Sequence, residues 1–193
     1  MVLADDHALV RAGVKALLAS HGIDVVAEAG DGRALLREVR QHRPDVAVVD
    51  VSMPLLDGIE AARRIASWSP STRVVVLTMH DDERFMARAM NAGVWAYVAK
   101  DEAIDRLVDA VHRVASGKRC LPENIEPLDD PLTTREREVL QLICEGKQNS
   151  DIAHIMSRSV NTVRAHRARL MRKLGVTSAT ELLNVAEKRG LLT

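Results

Sequence analysis

In the first 116 residues, short apolar runs alternate with segments of helical periodicity. The apolar runs have the length of buried strands, and the segments between them repeat apolar residues every three to four positions. Strands are predicted at residues 2–4, 25–29, 46–51, 74–78 and 96–99, and helices near residues 8–20, 32–42, 58–68, 82–92 and 104–116. Five such units predict an α/β doubly wound domain, in which helices cover both faces of a five-stranded parallel sheet.

From residue 132 to residue 193 the pattern is helical throughout. Two pairs of residues have the spacing of a capping box and two further residues are good N-caps: Thr133 with Glu136, Ser178 with Glu181, Asn149 and Ser159. Helices are therefore predicted at about 134–145, 150–156, 160–174 and 179–188. A tight turn at 157–159 joins the middle pair, so an all-α four-helix domain with a helix-turn-helix is expected.

The two halves differ in charge, although the whole chain has a net charge of zero. Residues 1–131 hold 16 Lys/Arg and 21 Asp/Glu, whereas residues 132–193 hold 11 and 6. Residues 117–131 contain Pro122, Pro127 and Pro131 and show no apolar periodicity, which predicts an extended linker. We therefore expect two domains with different partners.

The composition narrows the class of protein. Of the 193 residues 47% are hydrophobic and 28% are charged, which is ordinary for a globular protein. The two cysteines, Cys120 and Cys144, match no metal or redox spacing, and neither a secretory signal nor a membrane-spanning stretch is evident. We expect a cytoplasmic protein with reduced thiols and no membrane partner.

Polar side chains stand at the carboxyl ends of four predicted strands. In the stretch VVDVSMP (48–54), an ionisable acid directly follows apolar residues of the third strand. The full set is Asp5 and Asp6 after the first strand, Asp50 at the end of the third, Thr78 at the end of the fourth and Lys100 after the fifth. Because parallel strands all end at one edge of the sheet, these groups are expected to meet there.

Phosphoryl transfer is the chemistry that such a set can share. Three neighbouring carboxylates repel one another, and their hard oxygen atoms suit Mg²⁺. With a divalent ion present, Asp50 could act as an ionised nucleophile, while Lys100 and the Thr78 hydroxyl bind phosphoryl oxygens. Each residue taken alone also has an ordinary structural explanation, such as a helix cap or a solvated charge, but the combination favours a site.

The third helix of the second half, VNTVRAHRARLMRKL (160–174), has two different faces. Val163, Leu170 and Leu174 form a core stripe, and the segment carries five basic residues without an acid. On the other side lie Arg164, Ala165, Ala168, Arg169 and Arg172. Small residues among arginines allow a helix to enter a major groove, so this face is predicted to bind DNA. Arg167 is expected to lie along the core stripe with its charge in solvent, and His166 to pack at the helix edge.

Four motifs of the first half resemble the receiver domain of two-component response regulators: ADDH (4–7), D-x-x-M-P (50–54), LT (77–78) and YVAK (97–100). The resemblance spans residues 1–116 and implies a flavodoxin-like fold with Asp50 phosphorylated by a sensor histidine kinase. It further implies that Asp5, Asp6, Asp50 and the Ser52 carbonyl surround Mg²⁺, and that Thr78 and Lys100 sense the phosphate. Tyr97 would be the switch aromatic, or simply a half-buried residue at the sheet edge.

Residues 132–176 are similar to a LuxR-type helix-turn-helix, so the whole chain resembles a NarL/FixJ-type response regulator. The resemblance implies a transcription regulator, not an enzyme, that binds promoter or operator double-stranded DNA. It further implies that Arg164, Ala165 and Ala168 occupy reading positions and that Thr162 is a phosphate contact. At Ala168 a relative can carry a longer polar side chain, so the base preference is not transferable.

The last helix places Leu182, Val185 and Ala186 at the spacing of one face. Such a stripe fits either the core of the small domain or a two-fold contact. The resemblance favours a homodimer when the protein is phosphorylated or bound to DNA, with two half-sites related by the same symmetry.

Receivers of this kind usually carry several more residues before the acidic pair, whereas Met1-Val2-Leu3-Ala4 supplies the first strand here. Either the true start lies upstream or the first strand is short. A short strand is expected to hold Asp5 and Asp6 less firmly.

Two other functions compete with a response regulator. A phosphohydrolase of the haloacid-dehalogenase type requires a second acid two residues after the nucleophile, where this chain has Ser52. A constitutive DNA-binding protein with a vestigial sensor would be expected to lose some of the five polar residues at the sheet edge. All of them are present, so phosphorylation-controlled transcription is the favoured function.

Overall fold

The computed structural model describes residues 1–79, 83–100, 104–121, 132–188 and 191. The chain folds as two units, residues 1–128 and residues 129–193. The elements of the first unit are β1 (Val2–Ala4), α1 (Ala8–Ser20), β2 (Ala27–Ala29), α2 (Gly32–His42), β3 (Val46–Asp50), α3 (Gly58–Trp68), β4 (Arg73–Thr78), α4 (Glu83–Asn91), β5 (Ala96–Ala99) and α5 (Ile104–Ala115). The strands form one parallel sheet in the order β2-β1-β3-β4-β5, which confirms the predicted doubly wound fold.

Both faces of the sheet are covered, which explains why the strands are continuous apolar runs. Successive residues of β3 point to opposite faces: Val46 and Val48 belong to the core on the side of α1 and α5, and Ala47 and Val49 to the core on the other side. All four are buried. The central strand therefore delivers Asp50 to the sheet edge from a rigid, fully packed position.

Several element ends differ from the predictions by one or two residues. β2 begins at Ala27 instead of residue 25, and β4 begins one residue early at Arg73. β3 ends at Asp50, because the carbonyl of Val51 accepts hydrogen bonds from the N–H groups of Met53 and Gly58 at 3.1 and 2.9 Å and so belongs to the following turn. The predicted helix start at residue 82 lies outside the described residues.

The first strand is short, and its hydrogen bonding extends to Asp5. β1 has three residues, yet it pairs with β2 on one side and β3 on the other, and all three residues are buried. The N–H of Asp5 continues the ladder by donating to the carbonyl of Ala29 at 3.1 Å. Asp5 is thus bonded to the paired edge of the sheet, whereas Asp6 is exposed.

The second unit is the predicted all-α helix-turn-helix domain. Its helices are α6 (Thr134–Cys144), α7 (Asn149–Ile155), α8 (Val160–Leu174) and α9 (Ala179–Lys188). Thr133 with Glu136, and Ser178 with Glu181, form the reciprocal hydrogen bonds of a capping box. Ser159 accepts from the N–H of Thr162 and caps α8 as predicted.

One predicted cap was wrong. The helix α7 begins at Asn149, and the residue before it is Gln148, whose N–H donates to the Asp151 carboxylate at 3.1 Å. The Asn149 side chain instead accepts from the Arg167 guanidinium of α8 at 3.3 Å. The sequence shows a good capping residue at 149, but packing of α7 against α8 uses its amide differently.

The face of α9 is divided between core and surface. Leu182 and Ala186 are fully buried within the second unit, and Val185 is half-buried. Leu182 and Ala186 therefore close the core of the small domain, and of the three residues considered for a dimer contact only Val185 keeps exposed surface.

The beginning of the predicted linker is attached to the first unit. The N–H of Cys120 donates to the carbonyl of Trp95 at 2.8 Å, and Cys120 forms a parallel bridge with Ala96. The guanidinium groups of Arg73 and Arg119 both lie 5.1 Å from the centre of a Trp95 ring. Residues 122–131 of the linker lie outside the described residues. Within the described ranges, none of the helices has both the length and the apolar character needed to cross a bilayer.

Candidate functional site

Asp5 and Asp50 lie side by side at the carboxyl edge of the sheet. Ala4 of β1 is paired with Val49 of β3, so the next residue on each strand is an aspartate at the same level. The exposed fraction is 2% for Asp5 and 3% for Asp50. Two neighbouring carboxylates at this burial need a cationic partner.

Lys100 provides that partner. Its Nζ lies 2.8 Å from Asp5 Oδ2 and 2.8 Å from Asp50 Oδ2, and its N–H donates to the carbonyl of Thr78 at 2.6 Å. Lys100 and Asp5 are 95 positions apart in the sequence. The structure thus brings together three of the predicted site residues through one ammonium group.

Asp6 and His7 complete the rim of the pocket. His7 Nδ1 lies 2.7 Å from Asp6 Oδ1, and the His7 N–H donates to Asp5 Oδ1 at 2.8 Å. Each of Asp5, Asp6, His7 and Asp50 offers a ligand atom, and these atoms all lie within 4.8 Å of one another. No role was predicted for His7, although the motif ADDH placed it two residues after Asp5, where a backbone N–H commonly bonds to an aspartate side chain.

The charges of the pocket oppose full ionisation. Burial raises the pKa of the Asp50 carboxyl above its ordinary value and the charge of Asp5 adds to this, although hydrogen bonding and attraction to Lys100 act in the opposite direction. Burial alone would lower the pKa of Lys100, but hydrogen bonds to Asp5 and Asp50 outweigh it and raise that pKa. The lysine therefore stays charged, and a further cation at this edge would favour the ionised form of the Asp50 carboxyl.

Of the remaining predicted residues, Ser52 and Thr78 contact this group, and Tyr97 packs against the core. The N–H of Ser52 faces Asp50 Oδ1 at 3.4 Å. Thr78 is completely buried at the end of β4, next to the strand that leads to Lys100. Tyr97 is half-buried and packs against the core on the side of α2, α3 and α4. Its position is compatible with both predicted roles, a switch aromatic and an edge residue.

A glycine makes the turn after Asp50 possible. The N–H of Gly58 donates to the carbonyl of Val51 at 2.9 Å, and a Cβ at residue 58 would overlap the carbonyl oxygen of Asp50. The side chain of Asp57 caps α3 by accepting from the N–H of Glu60 at 2.7 Å. Close approach of the helix start to the strand end therefore fixes the backbone that carries Asp50.

Chemically, this pocket offers a carboxylate nucleophile, a fixed ammonium group and several oxygen donors at an accessible edge of a rigid sheet. Such an arrangement can form an acyl phosphate on Asp50 and stabilise its oxygens. The side chain of Lys100 remains 13% exposed and that of Asp6 31% exposed, so the pocket is open to solvent on this side.

The second candidate site is the surface of α8. Val163, Leu170 and Leu174 are buried in the core of the second unit as predicted. The opposite face is exposed and consists of Arg164, Ala165, Ala168, Arg169 and Arg172. A basic helix face with small residues at its centre suits close approach to the phosphates and base edges of DNA.

Other residues of α8 hold the helix in place. Arg167 is half-buried and donates to Asn149 of α7, which agrees with its predicted position away from the reading face. His166 is half-buried at the edge of the helix. Thr162 is half-buried at the start of α8, and its hydroxyl lies 2.9 Å from that of Ser159. Ser157, in the turn before α8, has a positive φ of 52°.

Two family models match the chain, one for each unit. The model of the response regulator receiver domain matches residues 1–112. The model described as bacterial regulatory proteins of the luxR family matches residues 130–186. Together they cover both candidate sites.

Similar proteins extend over the full length of the chain. The transcriptional regulatory protein MctR of Rhizobium johnstonii is 34% identical, with 100% of this chain and 95% of the relative covered. The oxygen regulatory protein NreC of Staphylococcus epidermidis is 35% identical, with 100% and 98% covered. A structure of RcsB from Salmonella enterica serovar Typhimurium, bound to promoter rprA in the presence of the phosphomimetic BeF3−, is 29% identical over 95% of this chain and 96% of that chain, with a TM-score of 0.66.

Proposed function

Since this chain belongs to the response regulators that join a receiver domain to a LuxR-type DNA-binding domain, we propose that Asp50 is its phosphoacceptor. Proteins of this family are transcription factors and not enzymes in the usual sense. The observation that carries the proposal is the contact of one ammonium group, Lys100 Nζ, with both Asp5 and Asp50 at the carboxyl edge of the sheet. A sensor histidine kinase is the proposed donor.

In the proposed reaction an Asp50 carboxylate oxygen attacks the phosphorus of a phosphohistidine. The new P–O bond forms as the P–N bond breaks, and the bonding electrons return to the imidazole of the donor. Lys100, already 2.8 Å from Asp50 Oδ2, pairs with the negative oxygens of the transferred group. The rigid end of β3 holds the nucleophile in place during transfer.

The residues of the pocket fit Mg²⁺. The atoms available as metal ligands include carboxylate oxygens that lie within 4.8 Å of one another. The single positive charge of Lys100 does not balance three carboxylate groups. The carboxylates of Asp5, Asp6 and Asp50 and the backbone carbonyl of Ser52 would hold the ion. When bound, Mg²⁺ supplies positive charge that neutralises the phosphoryl oxygens.

Phosphate sensing is assigned to Thr78 and Lys100, with Tyr97 as the switch aromatic. The backbone bond between Lys100 and Thr78 links the ends of β4 and β5, so a phosphate bound by both side chains would pull on both strands. Tyr97 lies on β5 against the core and would respond to a shift of that strand.

Control of transcription would act through double-stranded DNA bound by α8. Thr162 and Arg172 are the proposed phosphate contacts at the two ends of the helix, with Arg164, Ala165, Ala168 and Arg169 between them facing the groove. The structure of the relative RcsB, bound to promoter rprA in the presence of the phosphomimetic BeF3−, supports the combination of both activities in one chain. We expect action in the bacterial cytoplasm, where the DNA is, and a homodimer in the phosphorylated or DNA-bound state.

The test is phosphorylation of the full chain by acetyl phosphate with Mg²⁺, followed by intact-mass measurement and mapping of the modified residue. We expect a mass shift of one phosphate on Asp50 and none in Asp50→Asn, since the amide cannot form the acyl phosphate. The matched control is Asp45→Asn, because Asp45 is an exposed acid at the other end of β3. Phosphate on the Asp50→Asn protein would remove Asp50 from this role. Loss of the shift in Asp45→Asn as well would mean that the loss in Asp50→Asn does not identify the phosphoacceptor.

A further inference from the structure

Arg11 of α1 contacts the backbone of the acidic pair and not its carboxylates. Its Nη1 donates to the carbonyl oxygen of Asp5 at 2.6 Å, while its Nε lies 3.2 Å from Glu28 Oε2 on β2. The Arg11 side chain is only 20% exposed. One planar guanidinium thus joins the first residue after β1 to the neighbouring strand. An ammonium group cannot reproduce this pair of contacts in fixed geometry.

This contact completes the hydrogen bonding of Asp5. The Asp5 N–H donates to Ala29, Oδ1 accepts from the His7 N–H, and Oδ2 accepts from Lys100. The carbonyl oxygen is the remaining polar group, and Arg11 occupies it. Because a peptide unit is planar, holding this oxygen fixes the orientation of the whole Asp5–Asp6 peptide.

Asp6 depends on that orientation more than Asp5 does. The carboxylate of Asp6 lies 2.7 Å from His7 Nδ1, but the His7 side chain is 69% exposed. A contact to such an exposed partner does little to fix a side chain. The direction in which Asp6 leaves the chain is therefore set mainly by the peptide before it.

Glu28 in turn holds Arg11. Its two carboxylate oxygens contact Lys15 Nζ and Arg11 Nε. The hydrogen bond from Lys15, assisted by Arg11, lowers the pKa of Glu28, so the acid remains charged at neutral pH. Lys15 therefore shares Glu28 with Arg11 but is absent from the contacts of Asp5.

We propose that Arg11 is a positioning residue for the divalent ion: by holding the carbonyl of Asp5, it orients the Asp5–Asp6 peptide so that both carboxylates face one Mg²⁺. The inference rests on the proposed function, because it presupposes a Mg²⁺ site at Asp5, Asp6 and Asp50. Arg11 binds neither the ion nor the phosphate, and acts only through the backbone of the ligands.

Charge and position predict opposite results for this residue. Arg11 carries a positive charge close to an acidic pocket, so on electrostatic grounds its removal should strengthen the binding of a cation. A residue that orients ligands should instead weaken binding when it is removed, by about tenfold in the range known for groups that support metal ligands. The sign of the change therefore separates the two explanations.

The experiment is calorimetric titration of the full chain with Mg²⁺, comparing wild type, Arg11→Ala, Arg11→Lys and Lys15→Ala. We expect about tenfold weaker Mg²⁺ binding for Arg11→Ala. Arg11→Lys should also bind Mg²⁺ clearly more weakly than wild type, because it keeps the charge but loses the planar guanidinium that makes both contacts. Lys15→Ala removes the same charge from the same glutamate, and its affinity should be unchanged or slightly higher. Thermal melting by circular dichroism checks that each variant is folded. If Arg11→Ala does not fold, the comparison of Arg11→Lys with wild type is the test.

A double-mutant comparison tests whether Arg11 acts through Asp6. Asp6→Asn should weaken Mg²⁺ binding in the wild type. It should weaken binding by a smaller factor in the Arg11→Ala background, because a misoriented Asp6 contributes less to the Mg²⁺ affinity. Unchanged or tighter binding in both Arg11 variants overturns the inference while leaving the metal site intact. Absence of Mg²⁺ binding by the wild type overturns the proposed metal site itself.

Discussion

Glu136 connects the start of α6 with α8, and its removal should destabilise the second unit alone. Glu136 Oε2 accepts from the N–H and the hydroxyl of Thr133, each at 2.9 Å, and from Lys173 Nζ at 2.7 Å. The Glu136 side chain is 3% exposed. The perturbation is Glu136→Ala, with Lys173→Met as the variant that removes the ion pair and leaves the capping box of Thr133 and Glu136 in place.

The size of the effect follows from these contacts. Loss of the N-terminal cap costs about 1 kcal/mol. The Lys173 side chain is 36% exposed, so solvent screening limits the ion pair to about 1 kcal/mol or less. Glu136→Ala should therefore lower the free energy of unfolding by about 2 kcal/mol. For a domain of this size this corresponds to a decrease in the melting temperature of about 8–16 °C.

The aromatic residues provide an internal control. All four of them, Trp68, Phe85, Trp95 and Tyr97, belong to the first unit, so tryptophan emission reports unfolding of that unit only. Urea titrations of the full chain should show an earlier loss of helical circular dichroism in Glu136→Ala, with an unchanged emission transition. Lys173→Met should lose half of the effect or less. An equal loss in both variants, or a shift of the emission transition, would refute this account of Glu136.

The same site predicts a dependence on pH. Burial alone would raise the pKa of Glu136, but hydrogen bonds from Lys173 and Thr133 outweigh it and hold the pKa below its ordinary value. The ionised carboxylate therefore stabilises the fold at neutral pH, and this contribution disappears as the pH falls through the pKa of the folded state. Glu136→Gln lacks it, so the stability difference from wild type should shrink on acidification.

Three further predictions concern the two sites. Without divalent ions at pH 7, Asp50→Asn should melt at a higher temperature than wild type, because burial and Asp5 raise the pKa of Asp50 and so disfavour its charged form. Calorimetry should show that the difference in melting temperature between the two proteins decreases as the pH falls. Gly58→Ala should destabilise the first unit by roughly 2 kcal/mol or more, because the added Cβ would overlap the carbonyl oxygen of Asp50. Gly13→Ala should instead stabilise this unit by about 0.5–1 kcal/mol, because the space around residue 13 in α1 is open. Urea titrations monitored by tryptophan emission measure both changes. Arg164→Ala should cost about 1–3 kcal/mol at a specific duplex if it pairs with guanine, whereas loss of a phosphate contact would weaken all duplexes alike and flatten the salt dependence.

The fold was predictable where local signals agree. The continuous apolar residues of β3 and the acid at its end specify a buried parallel strand with Asp50 at the carboxyl edge of the sheet, and the structure has both features. The capping boxes at Thr133 and Ser178 set the starts of α6 and α9 in the same local way. Patterns of this kind involve neighbours in sequence, so no knowledge of the packing is needed to interpret them.

The remaining details depend on contacts between distant elements. Position 149 carries a good capping residue, but the approach of Arg167 from α8 determines the use of its side chain. The apolar stripe of α9 could not be assigned to core or interface until packing buried Leu182 and Ala186. The role of Arg11 at the acidic pair requires the spatial meeting of α1, β2 and the end of β1, which no spacing rule expresses.

The affinity of the full chain for DNA, before and after treatment with acetyl phosphate and Mg²⁺, tests the central claim most directly. Fluorescence anisotropy would be measured on a duplex enriched from a random pool by a fragment of residues 129–193, with Asp50→Asn treated in the same way. A coupling free energy of about 1–3 kcal/mol predicts a gain of roughly 5–150-fold for the wild type. The variant should keep the affinity of the untreated protein. No gain in the wild type, or the same gain in the variant, would contradict control of DNA binding by a phosphate on Asp50.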